Sequence, residues 1–196
     1  LIEAAKSGKR VLRLKGGDPF MFGRGGEEAL ALAAAKIPFQ LVPGVTASVG
    51  GLASTGIPLT HRTTGSAVTF LTGHSAEGTL PDDLNWEAIS SGGPTLIFYM
   101  ALAHLETITQ KLLTNGVSEE TPAALIANAT LDNQQVVETS LKELVHTAKQ
   151  ANIKAPAILV IGDIIQLRSA LDPNASVEDR FRAAQKLTSH WHQTAC

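Results

Sequence analysis

Short apolar runs that alternate with helical segments are the feature that most constrains how this chain can fold. Residues 94–100 and Ala157–Ile161 are apolar along nearly their whole length, which is typical of strands buried on both faces of a sheet. Between such runs lie segments of helical period, such as residues 102–115, which end before Gly116. This alternation predicts an α/β architecture in which helices cover a sheet.

The same reading along the chain gives the other expected elements and the domain limits. A polar stretch at residues 60–66 is typical of a crossover between domains, so we expect domains at 1–64 and 65–170 and a polar, loose or partly helical tail at 171–196. The predicted strands are 11–14, 39–42, 67–72, 94–100, 122–127, 135–139 and 157–161. The predicted helices are the first residues up to Gly8, 27–36, about 46–55, a short one near Trp86, 102–115 and 141–151.

Composition excludes several classes of function. Hydrophobic residues make up 44% of the chain, which is enough for a core, and the formal net charge of -2 argues against a nucleic-acid binder that relies on a basic surface. The single cysteine, Cys196, excludes an internal disulfide framework and fits a reducing, cytoplasmic setting. No apolar run approaches the roughly 18 residues of a membrane helix. The six histidines show no metal-ligand spacing, so no metal is expected.

Three loops that follow predicted strands carry residues suited to a ligand. The two glycines of residues 15–19 let the backbone approach a ligand closely, and Asp18 can accept a hydrogen bond from an amine or hydroxyl; an ordinary tight turn is the alternative. Thr46 offers a hydroxyl at a helix start, where it could equally be an N-cap. Met100 ends a strand, where a methionine is more often core filler. The glycines of residues 23–26 fit neither the Rossmann nor the Walker spacing.

Taken together, these segments resemble the tetrapyrrole methylases. Residues 11–28, reading VLRLKGGDPFMFGRGGEE, are similar to a signature of that family, and residues 43–48, 56–62, 72–74 and 96–100 follow in the family's order. The resemblance covers about residues 1–171. It implies two α/β domains with an S-adenosylmethionine site in the cleft between them. It is strongest to members that methylate uroporphyrinogen III to precorrin-2, for sirohaem or cobalamin synthesis.

The resemblance also implies roles for individual residues. Arg24 and Arg62 are candidates to bind substrate carboxylates, with a structural ion pair as the alternative for each. No catalytic acid or base is assigned, and relatives of this kind imply a homodimer. The implied cofactor contacts are Gly16, Gly17, Asp18, Met21, Thr46, Ala47, Met100 and Ala129, the last at a position where some relatives carry glycine.

One part of the family pattern has no counterpart in this chain. The family opens with a strand and a glycine- and proline-rich loop, so the resemblance implies a first domain that lacks its N-terminal part. An unpaired strand edge and exposed apolar surface would follow. Two alternatives to the leading activity remain open: a sister precorrin methylase of the same fold, and a truncated cofactor-binding module without turnover.

Overall fold

The computed structural model describes residues 1–75 and 77–194, and side chains as far as residue 188. Its contacts group the chain into two compact units, Leu1–Ala47 and Ser48–Cys196. Each unit is described by itself. This grouping does not test the domain limits predicted from the sequence, at residues 64 and 170, which stay predictions.

A mixed five-stranded sheet forms the frame of the second unit. The strands are β1 (Val68–Thr72), β2 (Thr95–Tyr99), β3 (Pro122–Ala127), β4 (Gln135–Ser140) and β5 (Ala157–Ile161). They lie in the order β1-β2-β5-β3-β4, in which β1 and β2 are parallel and every other neighbouring pair is antiparallel. Because β5 is antiparallel to both β2 and β3, the strands β1, β2 and β3 all end at the same edge of the sheet.

Burial explains why these strands could be predicted. Every residue of β2 is buried, and so are the last residues of β3 and β5, which matches their continuous apolar sequence. Ile108 and Leu112 of helix α5 (Leu105–Thr114) pack into this core, and Trp86 stacks on Phe98 with ring centroids 6.3 Å apart. All five strands predicted in this part of the chain are confirmed.

Helices connect and cover the strands of the second unit. The tail predicted as loose or partly helical contains a helix of 18 residues, α8 (Val177–Thr194). The side chains of His190, His192 and Cys196 lie outside the described residues. The helices are α3 (Ala47–Ser54), α4 (Trp86–Ser90), α5 (Leu105–Thr114), α6 (Leu144–Gln150), α7 (Arg168–Leu171) and α8 (Val177–Thr194), with 3-10 turns at Leu102–His104 and Asp163–Leu167. In the described part of the chain, no helix combines the length and the apolar character needed to cross a bilayer.

The first unit contains two helices, α1 (Ile2–Lys6) and α2 (Gly25–Ala34). Gly8 ends the first of them as predicted: it has a φ of 81° and donates its amide to the Ala5 carbonyl at 2.9 Å. A positive φ costs glycine little, which is why it is common just past a helix end.

The two strands predicted in the first unit, residues 11–14 and 39–42, are wrong. Both segments are irregular, because among the described residues neither is hydrogen-bonded to a neighbouring strand. Their apolar side chains are consequently exposed, with Leu12 at 86%, Leu14 at 79% and Val42 at 71%. The two segments line a cavity of about 1180 Å³. The exposed apolar surface expected from the resemblance is therefore present, whereas the unpaired strand edge expected with it is not, because these segments form no strand.

Candidate functional site

Two loops of the first unit approach each other through glycine. A methyl carbon placed on Gly17 would lie 3.1 Å from the Val45 carbonyl oxygen and 3.6 Å from Thr46 Cα. One placed on Gly44 would lie 2.9 Å from the Gly17 carbonyl oxygen. The backbones can meet this closely only because both positions lack a side chain. The structure therefore brings Gly17 beside the segment that holds Thr46 and Ala47.

Asp18 links the same two loops. Its Oδ1 accepts a hydrogen bond from the Phe20 amide at 2.9 Å, and its Oδ2 accepts one from the Gly44 amide at 3.1 Å. These bonds stabilise the ionised carboxylate, so the Gly44 amide first and the Phe20 amide second lower the pKa of Asp18. Both oxygens thus have backbone donors within the protein. The role as a cofactor contact stays a prediction, and the carboxylate also holds the loops together.

The bonded carboxylate predicts a pH dependence for Asp18→Asn. A carboxyl whose pKa is lowered in the folded state stabilises the protein above its unfolded pKa, near 3.8, and that stability is lost as the pH falls through the folded pKa. At pH 7 we expect the variant to be less stable than the wild type, with the difference shrinking toward pH 3. Urea unfolding at a series of pH values measures this.

A matched control for that experiment is Glu28→Gln. The pKa of Glu28 is also lowered, chiefly by a hydrogen bond from Lys15, whose Nζ lies 2.9 Å from the Glu28 carboxylate. This variant removes a carboxylate that is bonded to a side chain of the first loop, and it leaves the Asp18 bonds to Gly44 and Phe20 in place, so it should retain the part of the pH dependence that Asp18 contributes. Identical pH dependence in Asp18→Asn and the wild type would contradict the prediction.

Three further predicted site residues lie in or beside the first loop. Gly16 is exposed, with open space where a side chain would be. Met21 is half-buried and donates its amide to the Asp18 carbonyl at 3.4 Å. Arg24 has a φ of 58°, and its side chain, 82% exposed, pairs with Glu27 at 3.4 Å. An exposed pair of this kind contributes little stability, so it leaves the guanidinium available to a ligand.

In the second unit, the predicted contacts lie at the edge where β1, β2 and β3 end. Met100 follows β2 with a φ of 54° and is 47% exposed. Ala129 lies between Asn128 and Thr130, whose φ values are 49° and 71°. Residues other than glycine rarely adopt this conformation, and it is enriched at functional sites. Tyr99 pairs with Ile158 and Ala127 with Ala157, so the ends of β2 and β3, which Met100 and Ala129 follow, lie on either side of β5, about 10 Å apart.

The end of β1 lies against the same edge. Gly73 donates its amide to the Tyr99 carbonyl at 2.7 Å, and a methyl carbon on it would lie 2.7 Å from Ala101 Cα. Glycine is required there because the two strand ends touch through their backbones. The segment of residues 72–74, noted in the sequence as part of the family pattern, is thus a direct neighbour of Met100.

Helix α3 is attached to this edge at two points. The Ser48 amide donates to Tyr99 Oη at 3.2 Å, and the two hydroxyls lie 2.5 Å apart. One turn further on, a methyl carbon placed on Gly51 would lie 2.9 Å from Ala129 Cβ. Neither Ser48 nor Tyr99 was among the predicted site residues. The signal was a single phenol in an apolar strand, since a buried tyrosine hydroxyl needs a hydrogen-bond partner.

The second predicted arginine, Arg62, lies in a tight turn of the second unit. The His61 amide donates to the Gly65 carbonyl at 2.8 Å, and the Gly65 amide donates to the His61 carbonyl at 3.0 Å. Arg62 is exposed, and its role in substrate binding stays a prediction. Among the described residues, no three His, Cys, Asp or Glu side chains are placed to hold a metal ion. In each unit, the predicted contacts are therefore mainly backbone groups and small or apolar side chains.

Comparison with known proteins identifies related sequences. Residues 1–145 match the family described as Tetrapyrrole (Corrin/Porphyrin) Methylases. The chain is 50% identical over 184 residues to a uroporphyrinogen-III C-methyltransferase from Sinorhizobium sp, an alignment covering 94% of this chain and 66% of that protein. It is also 50% identical over 171 residues to a siroheme synthase from Stutzerimonas stutzeri, covering 87% of this chain and 36% of that protein. The chain thus spans just under two thirds of the first relative and about one third of the second.

Solved structures of related proteins share the fold. Uroporphyrin-III C-methyl transferase from Thermus thermophilus, complexed with S-adenyl homocysteine, has a TM-score of 0.74 and 32% identity over 85% of this chain and 71% of its own. A cobalt precorrin-4 methyltransferase has a TM-score of 0.75 at 23% identity, covering 84% of this chain and 68% of its own, and its likeness concerns the fold alone. Both the α/β class and the family fold expected from the sequence are confirmed by these matches.

Proposed function

The chain belongs to the tetrapyrrole methylase family, and on that premise we propose that it acts in the S-adenosylmethionine-dependent C-methylation of uroporphyrinogen III to precorrin-2. Two relatives with half of their aligned residues identical are a uroporphyrinogen-III C-methyltransferase and a siroheme synthase. The proposed product would serve sirohaem or cobalamin synthesis.

The observation that carries the proposal is the loop pair of the first unit. The family signature assigns cofactor contacts to Gly17, Asp18, Thr46 and Ala47, which are distant in sequence. In this chain they occur in two loops that touch through Gly17 and Gly44 and are tied by Asp18. A side chain at either glycine would fill the space through which the backbones meet. Such backbone-rich surfaces suit a ligand that carries an amine, a carboxylate and ribose hydroxyls.

Different protein groups are proposed to contact the polar and the apolar parts of the ligand. Backbone groups of Gly17 and of Thr46–Ala47 bind polar parts of S-adenosylmethionine, and the exposed thioether of Met100 supplies an apolar, polarisable contact. When bound, S-adenosylmethionine supplies a methyl group already activated on its sulfonium sulfur. The protein's contribution is then mainly to hold donor and acceptor in line. Arg24 and Arg62 would bind the carboxylates of the macrocycle, for which the guanidinium geometry is suited.

Binding and turnover test this proposal separately. We expect calorimetric titration of the chain with S-adenosylhomocysteine to give saturable binding at one site per chain. We expect incubation with S-adenosylmethionine and uroporphyrinogen III to yield precorrin-2, detected by mass and absorbance. Absence of S-adenosylhomocysteine binding would overturn the proposal.

The other outcomes distinguish the two alternatives. Methylation of a precorrin but not of uroporphyrinogen III would indicate a sister enzyme of the same fold. Binding of S-adenosylhomocysteine without methylation of either macrocycle would indicate a cofactor-binding module. The exposed apolar segments at residues 11–14 and 39–42 favour that module as the second candidate, because they leave the first unit incompletely packed.

We also propose that the protein acts as a homodimer in the cytoplasm. The family resemblance supports the homodimer, and the single cysteine supports a reducing compartment. Light scattering after size-exclusion chromatography tests the first statement, with a monomeric mass at micromolar concentration as the contrary result. Fractionation of the source cells tests the second.

A further inference from the structure

We infer that Tyr99 is a positioning residue for the cofactor site: its hydroxyl caps the first turn of α3 from the end of β2. The link to S-adenosylmethionine rests on the proposed function. The attachment of α3 to the end of β2 rests on contacts within the second unit.

The first step is the hydrogen bonding at the start of α3. The first four amides of any α-helix have no partner within the helix, and an unpaired buried amide is costly. Ser48, the second residue of α3, is fully buried, so water does not satisfy its amide. Tyr99 Oη lies 3.2 Å from that amide and 2.5 Å from Ser48 Oγ. Tyr99 Oη is therefore the acceptor for one of the first amides of α3.

The second step is that α3 is held at two points on one face. Ser48 and Gly51 are three residues apart, which places them on the same side of the helix. The first is bonded to Tyr99, and the second contacts Ala129 closely enough to leave no room for a methyl group. A directional bond and a steric contact together fix both the position and the rotation of the helix on the sheet edge.

The third step is the location of these contacts in the sequence. Tyr99 immediately precedes Met100, and Ser48 immediately follows Ala47, the first residue of α3. Both neighbours are proposed cofactor contacts. A shift of Ser48 away from Tyr99 would move the first turn of α3, and Ala47 with it. Tyr99 itself is only 8% exposed, so it acts through these neighbours rather than on the ligand.

The test compares Tyr99→Phe with Thr109→Val. The first variant keeps the ring and removes the hydroxyl that bonds Ser48. The second removes a buried hydroxyl that bonds the Leu105 carbonyl within α5. We expect Tyr99→Phe to weaken S-adenosylhomocysteine binding about tenfold and to raise the KM for S-adenosylmethionine by a similar factor, with kcat within about twofold. Thr109→Val should leave the Kd within about twofold.

Hydrogen exchange provides the readout that does not depend on the ligand. In Tyr99→Phe the amides at the start of α3 should exchange faster than in the wild type, while those of α5 stay unchanged. Unaltered exchange at α3 in a folded Tyr99→Phe variant would overturn the inference, as would equal Kd losses in the two variants. If Tyr99→Phe does not fold, exchange in the wild type decides: the Ser48 amide has no acceptor within α3 and is bonded to Tyr99 Oη, so it should be protected, and exchange as fast as that of an exposed amide would overturn the inference.

The inference and the proposed function can fail independently. If the wild type does not bind S-adenosylhomocysteine, the proposed function falls, and the exchange comparison still decides whether Tyr99 holds the start of α3. If the wild type binds and Tyr99→Phe binds equally well, the proposed function stands and the positioning role falls.

Discussion

Gly44→Ala is expected to weaken S-adenosylhomocysteine binding by about ten- to hundredfold. The added methyl carbon would lie 2.9 Å from the Gly17 carbonyl oxygen and 3.0 Å from its carbonyl carbon, both backbone atoms that cannot turn aside. Overpacking of this kind costs about 1–3 kcal/mol, and the loops relieve it by moving apart. That movement also breaks the bond from the Gly44 amide to Asp18. Calorimetric titration measures the change in Kd.

Gly26→Ala is the matched control for that loss. It adds the same methyl group to the same unit, at a position with no other group within 4 Å of the added carbon. We expect its Kd to stay within about twofold of the wild type. If Gly44→Ala, shown to be folded by circular dichroism, bound S-adenosylhomocysteine as the control does, then close approach of the two loops is not needed for binding.

The contrast between the two units shows what a sequence pattern can predict. The strands predicted from the apolar runs of β2, β3 and β5 are present in the structure because each run pairs with neighbouring strands of the same chain. Residues 11–14 have the same β-favouring composition, yet they form no strand. A local pattern reports that a segment suits a sheet, and it carries no information on whether a neighbouring strand is available to pair with it. Pairing is a property of the tertiary structure.

Some features of the candidate site could likewise be predicted from the sequence, and others are visible only in the structure. The sequence predicts Gly17, Thr46 and Ala47 as site residues, and the structure places Gly17 beside the Thr46–Ala47 segment, while their role as cofactor contacts stays a prediction. The capping bond from Tyr99 to Ser48 could not, because the two residues are 51 positions apart and each has an ordinary role in its own element. Likewise, Asp18 suggests a ligand contact in the sequence, and only the structure shows that two backbone amides already occupy its oxygens.

Gly25→Ala and Gly26→Ala should change the stability of the first unit in opposite directions, although the residues are adjacent. A methyl carbon on Gly25 would lie 2.5 Å from the Pro19 carbonyl oxygen and 2.9 Å from Pro19 Cβ, where α2 begins against the loop that carries Asp18. The substitution must therefore displace Pro19 or unwind the first turn, and we expect a loss of about 2–3 kcal/mol.

Gly26→Ala meets no such obstacle and replaces a helical glycine by the best helix former, so a gain of about 0.5–1 kcal/mol is expected. Urea unfolding, together with hydrogen exchange of the α2 amides, measures both changes. A stability loss in both variants would mean that α2 does not tolerate side chains at its start for a reason other than Pro19. A loss confined to Gly25→Ala would establish that the Pro19 contact fixes the start of α2. The same contact would then also fix the position of the loop in which Asp18 is bonded to Gly44.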